Sequence, residues 1–197
     1  MPHKKLLIAS NNLHKIEELI KILQNTELNV IAPKDIGGIP EVEETGVTFE
    51  ENASLKAVET AKFSNMYVFA DDSGLEVEAL NNRPGVYSAR YAGPNATDSD
   101  RVNKLLGELS GVKNRKARFV CVIAISSPSG EVKTFKGEIN GTIIDAPQGC
   151  NGFGYDPVFL PNGYDKTFAE LDSNIKNKIS HRANALNKAI TELNKII

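Results

Sequence analysis

The sequence predicts an α/β fold in which a long mixed β-sheet is flanked by helices. Short apolar runs suited to buried strands alternate with segments whose apolar residues recur at helical spacing. A strong strand pattern over 118–126 is followed by a turn and a second strand over 132–138, which indicates an antiparallel hairpin. Strand–helix alternation favours parallel units, so the added hairpin makes the sheet mixed.

The N-terminal segment predicts a strand, a polar loop, a helix and a second strand. The two strands are the apolar runs 5–9 and 28–32. Between them lies an apolar stripe at helical spacing, formed by Ile16, Leu19, Ile20 and Leu23. This order is the opening of an α/β domain.

A long polar connection over 33–47 leads to the next predicted helix. Thr48 and Glu51 have the spacing of a capping box, so the helix should begin there and run to about Phe63. A strand over 67–70 follows, and we expect it to end on the acidic segment 71–74.

The remaining elements follow from the same patterns. Residues 75–80 alternate with period two, 81–85 are typical of a turn, and 99–109 carry a helical stripe. That stripe comprises Val102, Leu105, Leu106 and Leu109. A closing helix is indicated by Ala183, Leu186, Ile190, Leu193 and Ile197.

Composition excludes several classes of protein. With 197 residues, 41% hydrophobic and 24% charged, the chain predicts a single domain over 1–197. A net charge of -2 argues against a nucleic-acid-binding surface, which needs many clustered Lys and Arg. The longest apolar run, 119–125, is too short for a membrane span. The two cysteines are too few for a disulfide framework and are expected to be small buried thiols. These features together predict a cytoplasmic protein.

Polar residues fill the loop between the first strand and the first helix, where open α/β sheets bind ligands. Backbone N–H groups at a helix N-terminus attract anions, and a lysine beside them favours phosphate. The alternative is an ordinary turn and cap with a solvated lysine. The candidate phosphate-binding residues are Ser10, Asn11, Asn12, Leu13, His14 and Lys15.

Acidic residues suggest a metal site or a general base. Asp71 and Asp72 are consecutive on a strand, so they should point to opposite faces and not form a shared acid pair. The acidic loop at Glu41, Glu43 and Glu44 is a second source of carboxylates. One glutamate and one aspartate suffice for Mg²⁺. A local turn and a solvated acidic loop are the alternatives.

The segment 152–156 and the tripeptide 180–182 provide a third group of polar and aromatic residues. Phe153 has a face that can stack on a nucleobase, while Asp, His and Arg can read its hydrogen-bonding edge. The alternatives are a glycine-rich turn with a core phenylalanine and a helix cap with exposed neighbours.

Together these segments resemble the non-canonical purine nucleoside triphosphate pyrophosphatases, also described as inosine/xanthosine triphosphate pyrophosphatases. The likeness covers nearly the whole chain and depends on the order and number of its motifs. The matching segments are Ser10-Asn11-Asn12 with Lys15, Glu43-Glu44-Thr45-Gly46, Phe49, Glu51-Asn52-Ala53, Ala70 to Leu75, Pro84 to Tyr91, Phe153 to Pro157, and Ser180-His181-Arg182.

The resemblance implies an Mg²⁺-dependent hydrolase that converts ITP, dITP or XTP to the monophosphate and pyrophosphate. It implies two lobes with a central substrate cleft and a homodimer. The absence of a nucleic-acid or membrane partner is expected from charge and hydropathy. Glu44 and Asp72 would bind the metal, and Asp72 would be the catalytic base. The implied substrate-binding residues beyond the phosphate loop are Ser73, Phe153, Gly154, Tyr155, Asp156, Lys176, His181 and Arg182.

Two other functions remain open at the level of sequence. One is a related hydrolase of modified pyrimidine nucleotides, and the other is a nucleotide-binding module without turnover. The acidic pair argues against the second, and the aromatic loop with His181 and Arg182 argues against the first.

Overall fold

The structure, a computed structural model, describes residues 5–24, 26 and 28–196. Within that part of the chain the strands are β1 (Lys5–Ile8), β2 (Asn29–Ile31), β3 (Tyr67–Val77), β4 (Arg83–Pro84), β5 (Lys116–Ser126), β6 (Val132–Ile143) and β7 (Phe159–Pro161). The α-helices are α1 (Leu13–Leu23), α2 (Phe49–Ser64), α3 (Asp98–Glu108), α4 (Ser173–Ile179) and α5 (His181–Ile196). Short 3-10 helices cover Pro33–Ile36, Glu78–Leu80, Gly85–Arg90 and Asp156–Val158.

The described strands form one mixed sheet, which confirms the predicted fold class. Its order is β2-β1-β3-β5-β6-β7, with β4 paired to β3. Strand β1 runs parallel to both neighbours, and Leu7 lies opposite Ile31 and Val68. The β3–β4 and β6–β7 pairs are antiparallel. A tight turn, in which Ser127 N–H donates to the Glu131 carbonyl, joins β5 to its neighbour β6 as the predicted hairpin requires.

The chain divides into two compact units. The first unit takes the residues up to Asp72, Cys121–Gly137 and the residues from Arg182 onward. The second unit takes Ser73–Val120 and Glu138–His181. A single domain over 1–197 and a substrate cleft stay predictions.

The first unit has an apolar core built from β1, α1, β3, β5 and α5. Leu6, Ile8, Leu19, Ile123 and Leu186 are among its buried members. The predicted stripe of α1 is confirmed at three positions, since Ile16, Leu19 and Leu23 are buried.

Burial of Ile20 was a wrong prediction, because its side chain is 41% exposed. At about 100° per residue, Ile20 lies about 40° beyond Ile16, at the edge of the stripe. In the closing helix, Ala183, Leu186 and Leu193 are buried and Ile190 is half-buried, while Ile197 lies outside the described residues.

The second unit has its own core, in which α3 packs with a group of aromatic rings. Val102 and Leu105 of α3 are buried there, together with Leu109, the C-cap residue of this helix. The rings of Phe119 and Phe159 meet edge to face, with their centroids 4.7 Å apart. The apolar stripe predicted for α3 is confirmed, although Leu106 is only half-buried.

Strand β3 differs from its prediction. It does not end at Ala70 but continues through the acidic segment to Val77, and both Asp71 and Asp72 are buried within it. A strand can bury two carboxylates only where charged or hydrogen-bonding partners meet them. The local pattern shows none of those partners, since they come from distant segments.

The remaining helices and strands agree with the predicted bounds in some places and differ in others. Helix α2 begins as predicted, since the Thr48 side chain accepts the Glu51 N–H and the Glu51 carboxylate accepts the Thr48 N–H. Strand β6 continues past Glu138 to Ile143, and α4 has no counterpart among the predicted elements. Among the described residues, no helix is both long enough and apolar enough to cross a membrane.

The two cysteines differ in exposure, so the expectation of buried thiols is correct for Cys121 and wrong for Cys150. Burial raises the pKa of the Cys121 thiol to about 12.

We therefore expect a thiol-specific chromophoric disulfide reagent to modify one cysteine in the native protein at neutral pH, and two in urea. Two equivalents of rapid reaction in the native protein would contradict the burial of Cys121.

Candidate functional site

The polar loop between β1 and α1 is organised by its own side chains. Asn12 is the N-cap of α1, and its Oδ1 accepts the Lys15 backbone N–H at 3.1 Å. The Ser10 hydroxyl accepts the Asn12 N–H at 3.2 Å. Asn11, Leu13 and His14 are exposed beside them. The loop therefore presents the first backbone N–H groups of an α-helix next to the Lys15 side chain.

Asp71 is a buried carboxylate of the first unit that pairs with two cations. Its Oδ2 lies 3.1 Å from Lys15 Nζ and 3.2 Å from the guanidinium of Arg182. Arg182 also pairs with Glu18 of α1. Burial alone would raise the pKa of Asp71, but Lys15 and Arg182 outweigh it and hold that pKa well below its usual range. Asp71 is therefore ionised and sets where the Lys15 ammonium lies.

Asp72 has a different set of partners, as the opposite-face prediction required. The Asn52 amide donates from Nδ2 to Asp72 Oδ2 at 3.2 Å, and its Oδ1 accepts the Gly46 N–H at 2.8 Å. Asn52 is fully buried, so one amide ties the acidic loop to the carboxylate of β3. Gly46 has no room for a side chain, since a Cβ there would lie 2.6 Å from Asn52 Oδ1.

Lys56 joins the two carboxylates predicted to bind metal. Its Nζ lies 2.6 Å from Glu44 Oε1 and 3.5 Å from Asp72 Oδ1. Asn52 and Lys56 are four residues apart on α2, which puts both on one helix face. Glu44 is half-buried in this contact, whereas Glu43 is exposed. The geometry therefore favours Glu44 over Glu43 as the partner of Asp72.

The electrostatics of this cluster favour a proton acceptor. Burial raises the pKa of Asp72, against the opposing charges of Lys56 and Lys15. For Lys56, burial alone would lower the pKa, but the charges of Asp72, Asp71 and Glu44 outweigh it and raise that pKa. Adjacent carboxylates on one strand thus differ in basicity, and Asp72 is the better base.

The donor set fits Mg²⁺. Among the described residues, no three His, Cys, Asp or Glu side chains group as a metal site. Two carboxylates nevertheless converge on a single cation, the Lys56 ammonium. Mg²⁺ is commonly held by one or two protein carboxylates together with water and substrate phosphate. Glu44 and Asp72 would supply them.

In the second unit, the structure brings three predicted substrate-binding residues together. Lys176 Nζ lies 2.6 Å from Asp156 Oδ2, which also accepts the Phe153 N–H at 2.9 Å. The same ammonium lies over the Phe153 ring, 5.0 Å from its centroid. Asp156 and Lys176 are buried, while Phe153 is half-buried. A ring face is thus held in place beside a buried ion pair.

The other predicted residues of the second unit have contacts and burial of their own. Gly154 is half-buried, and Tyr155 is buried with its hydroxyl donating to the Ser88 carbonyl at 2.9 Å. His181 stacks on Phe119, with their centroids 4.8 Å apart. Ser73 is half-buried on β3. The base-reading role predicted for Arg182 stays a prediction, since its guanidinium is 1% exposed and pairs with Asp71 and Glu18.

Sequence reasoning missed Lys56 and gave no role to Asn52. The capping box at Thr48 sets the start of α2, and the four-residue spacing then puts both side chains on one face. That face could have been predicted. Its approach to Asp72 could not, because it depends on how α2 packs against β3.

A sequence model of the Ham1 family matches residues 6–192. This chain belongs to the Ham1 family. The match covers the phosphate loop, the acidic cluster around Lys56 and the segment that carries Phe153. The resemblance inferred from separate motifs is therefore confirmed at the level of the family.

Members of the Ham1 family resemble this chain in both sequence and structure. A dITP/XTP pyrophosphatase of Bacillus licheniformis is 51% identical over 187 residues, 94% of this chain and 95% of the relative. A dITP/XTP pyrophosphatase of Bacillus subtilis is 50% identical over the same length, 94% of each chain. The Ham1 protein of Staphylococcus aureus superposes with a TM-score of 0.88 at 48% identity, covering 98% of this chain and 100% of the other.

The contrast between neighbouring carboxylates predicts effects of different size on stability. Asp71→Asn leaves the buried Arg182 and the half-buried Lys15 without their shared anion, so we expect the free energy of unfolding to fall by about 3–5 kcal/mol. Asp72→Asn removes a carboxylate whose ionised form burial disfavours, so we expect a change of about 1 kcal/mol or less. Urea unfolding of the two variants measures both values.

Acid should diminish the effect of Asp71→Asn. Because folding lowers the pKa of Asp71, its contribution to stability is present above the ordinary carboxyl pKa and is lost as the pH falls towards the folded value. The difference between wild type and variant should shrink below about pH 4. Equal losses for both variants at neutral pH would contradict the assignment of separate roles.

Proposed function

We propose that this protein hydrolyses non-canonical purine nucleoside triphosphates, namely XTP, ITP and dITP, to the monophosphate and pyrophosphate. The observation that carries the proposal is the convergence of Glu44 and Asp72 on one cation beside the Lys15 loop. The names of relatives at about half identity support the same reaction. Such an enzyme removes these nucleotides from the cellular pool.

Phosphate binding falls to the first unit. The helix N-terminus capped by Asn12 supplies backbone N–H donors, and the Lys15 ammonium supplies positive charge. Asp71, which also pairs with Arg182, holds Lys15 in one position, so little rotamer freedom is lost when a phosphate binds. In this way a chain with a net charge of -2 places positive charge where a triphosphate needs it.

Hydrolysis requires a base and a means of neutralising charge. Glu44 and Asp72 would hold Mg²⁺, which neutralises phosphate charge and polarises the phosphorus–oxygen bonds when bound. The oxygen of water forms a bond to the α-phosphorus, and the bond from that phosphorus to the bridging oxygen breaks. Pyrophosphate leaves with the electron pair, and a carboxylate oxygen of Asp72 accepts the proton of the water.

Base recognition falls to the second unit. The half-buried Phe153 offers a ring face for stacking, and base–aromatic stacking is worth about 1–3 kcal/mol. Lys176, Asp156 and His181 supply donors and acceptors around it, with Gly154 and Tyr155 shaping the loop and Ser73 contacting the substrate. A purine with a 6-oxo group presents an acceptor where adenine presents a donor, so a donor such as Lys176 favours it.

We also propose that the enzyme acts in the cytoplasm, where nucleotide pools lie, and that it is a homodimer, as the resemblance implies. Light scattering of the purified protein tests its oligomeric state. A mass of one chain, 21.4 kDa, across the working concentration range would contradict the dimer.

The proposed specificity predicts the outcome of a substrate panel. With Mg²⁺, ITP and XTP should be hydrolysed at least about 100-fold more efficiently than ATP, because a site built for one hydrogen-bonding pattern leaves its polar groups unpaired with the other. The product assayed should be pyrophosphate and not orthophosphate. Equal rates on ATP, or faster turnover of modified pyrimidine nucleotides, would contradict the proposal.

The proposed metal site predicts a contrast between adjacent residues. Asp72→Asn should abolish turnover with the fold intact, and Glu44→Gln should raise the Mg²⁺ concentration for half-maximal rate by about tenfold or more. Glu43→Gln is the matched control, since Glu43 is exposed, and it should leave that concentration unchanged. Circular dichroism checks the fold. Retained activity in Asp72→Asn, or a larger effect of Glu43→Gln than of Glu44→Gln, would overturn the assignment.

A further inference from the structure

Asp98, the first residue of α3, contacts the loop that carries Phe153. Its Oδ2 accepts the Gly154 backbone N–H at 2.6 Å. Its other carboxylate oxygen pairs with the guanidinium of Arg101, one helical turn along. The motifs that suggested the proposed site did not include Asp98. Its contact nevertheless falls on the residue next to the predicted stacking ring.

The carboxylate of Asp98 is not needed to cap its own helix. Thr97 and Asp100 form the capping box of α3, in which the Thr97 hydroxyl accepts the Asp100 N–H and the Asp100 carboxylate accepts the Thr97 N–H. Asp98 therefore serves a separate contact. The charge of the aspartate at a helix N-terminus is also favoured by the helix dipole.

Arg101 holds Asp98 in one orientation. Its guanidinium also donates to the carbonyls of Ala89 at 2.9 Å and Ala96 at 2.7 Å. A guanidinium fixed by two carbonyls limits the rotamers open to the carboxylate that it pairs with. Arg101 therefore fixes one carboxylate oxygen of Asp98, and the other oxygen accepts the Gly154 N–H.

The Phe153 loop needs such an anchor because its backbone is permissive. Gly152 and Gly154, on either side of Phe153, have left-handed φ angles of 76° and 64°. Glycine gives little intrinsic preference for these angles over others. Hydrogen bonds set them instead: Phe153 N–H donates to Asp156, and Gly154 N–H donates to Asp98. The two peptide groups that flank the Phe153 Cα are therefore both held by carboxylates.

We propose that Asp98 is a positioning residue for base recognition: by accepting the Gly154 N–H it fixes the ring of Phe153 in the orientation that stacks on the purine. This inference rests on the base-binding role of Phe153 given under the proposed function. The proposed function assigns the phosphates and the reacting atoms to other residues, so Asp98 acts through its contact with the loop.

The test compares four variants by affinity for two probes, each measured by calorimetry with Mg²⁺. IMP carries the base, and pyrophosphate lacks it. Asp98→Ala should weaken IMP binding and raise the KM for ITP by up to about tenfold, the effect of losing a hydrogen bond to a charged acceptor. Pyrophosphate affinity and kcat should stay within about twofold, as expected when only ground-state binding of the base is lost.

Two further variants separate positioning from general stability. Asp98→Asn keeps an oxygen that can accept the Gly154 N–H, so it should restore most of the IMP affinity. Asp100→Ala breaks the capping box of the same helix and should lower stability without changing the ratio of IMP to pyrophosphate affinity. The same loss of IMP affinity in Asp100→Ala, or equal weakening of both probes in Asp98→Ala, would overturn the inference.

Phe153→Ala distinguishes this inference from the function on which it rests. Weaker IMP binding in Phe153→Ala together with unchanged binding in Asp98→Ala would overturn the role of Asp98 alone. Unchanged IMP binding in Phe153→Ala would overturn the base-binding role of the loop, and the positioning role of Asp98 with it.

Discussion

Two consecutive buried carboxylates on β3 constrain the rest of the first unit. Neighbouring residues of a strand point to opposite faces, so Asp71 and Asp72 cannot share a partner set. Each carboxylate must find its own compensation, because a buried charge without a partner costs several kcal/mol. Asp71 is compensated by Lys15 and Arg182, and Asp72 by Asn52 and Lys56. Segments far apart in sequence thereby meet at one strand.

The two carboxylates differ in role: Asp71 orients a neighbouring side chain, and Asp72 is suited to accept a proton. The cations around Asp71 outweigh its burial and lower its pKa, which fixes a permanent negative charge that orients Lys15. Around Asp72 burial prevails and the pKa rises, which favours proton transfer at that carboxylate. The second unit repeats the principle with a different purpose, since Asp156 pairs with Lys176 and orders the loop of Phe153. In both units an ion pair orients a group to which the proposed function gives a contact with substrate.

Local patterns predicted much of this fold and the position of the candidate site. Apolar spacing predicts α1 and α3, the Thr48 capping box predicts the start of α2, and the period-two geometry of a strand predicts that Asp71 and Asp72 face opposite ways. The same rules ended β3 too early, because its continuation depends on ionic partners from α1, α2 and α5. Lys56 and Asp98 were missed for the same reason: their roles come from tertiary contacts, and each looks locally like an ordinary helix surface residue.

We propose that Asp72 and Glu44, and not Asp71 or Glu43, bind the metal. Anomalous scattering from crystals grown with Mn²⁺ in place of Mg²⁺ tests it most directly, because the position of the ion is observed. We expect one strong peak about 2.1 Å from carboxylate oxygens of Glu44 and Asp72, with Asp71 still paired to Lys15 and Arg182. A peak coordinated by Asp71 or by Glu43 would contradict the account.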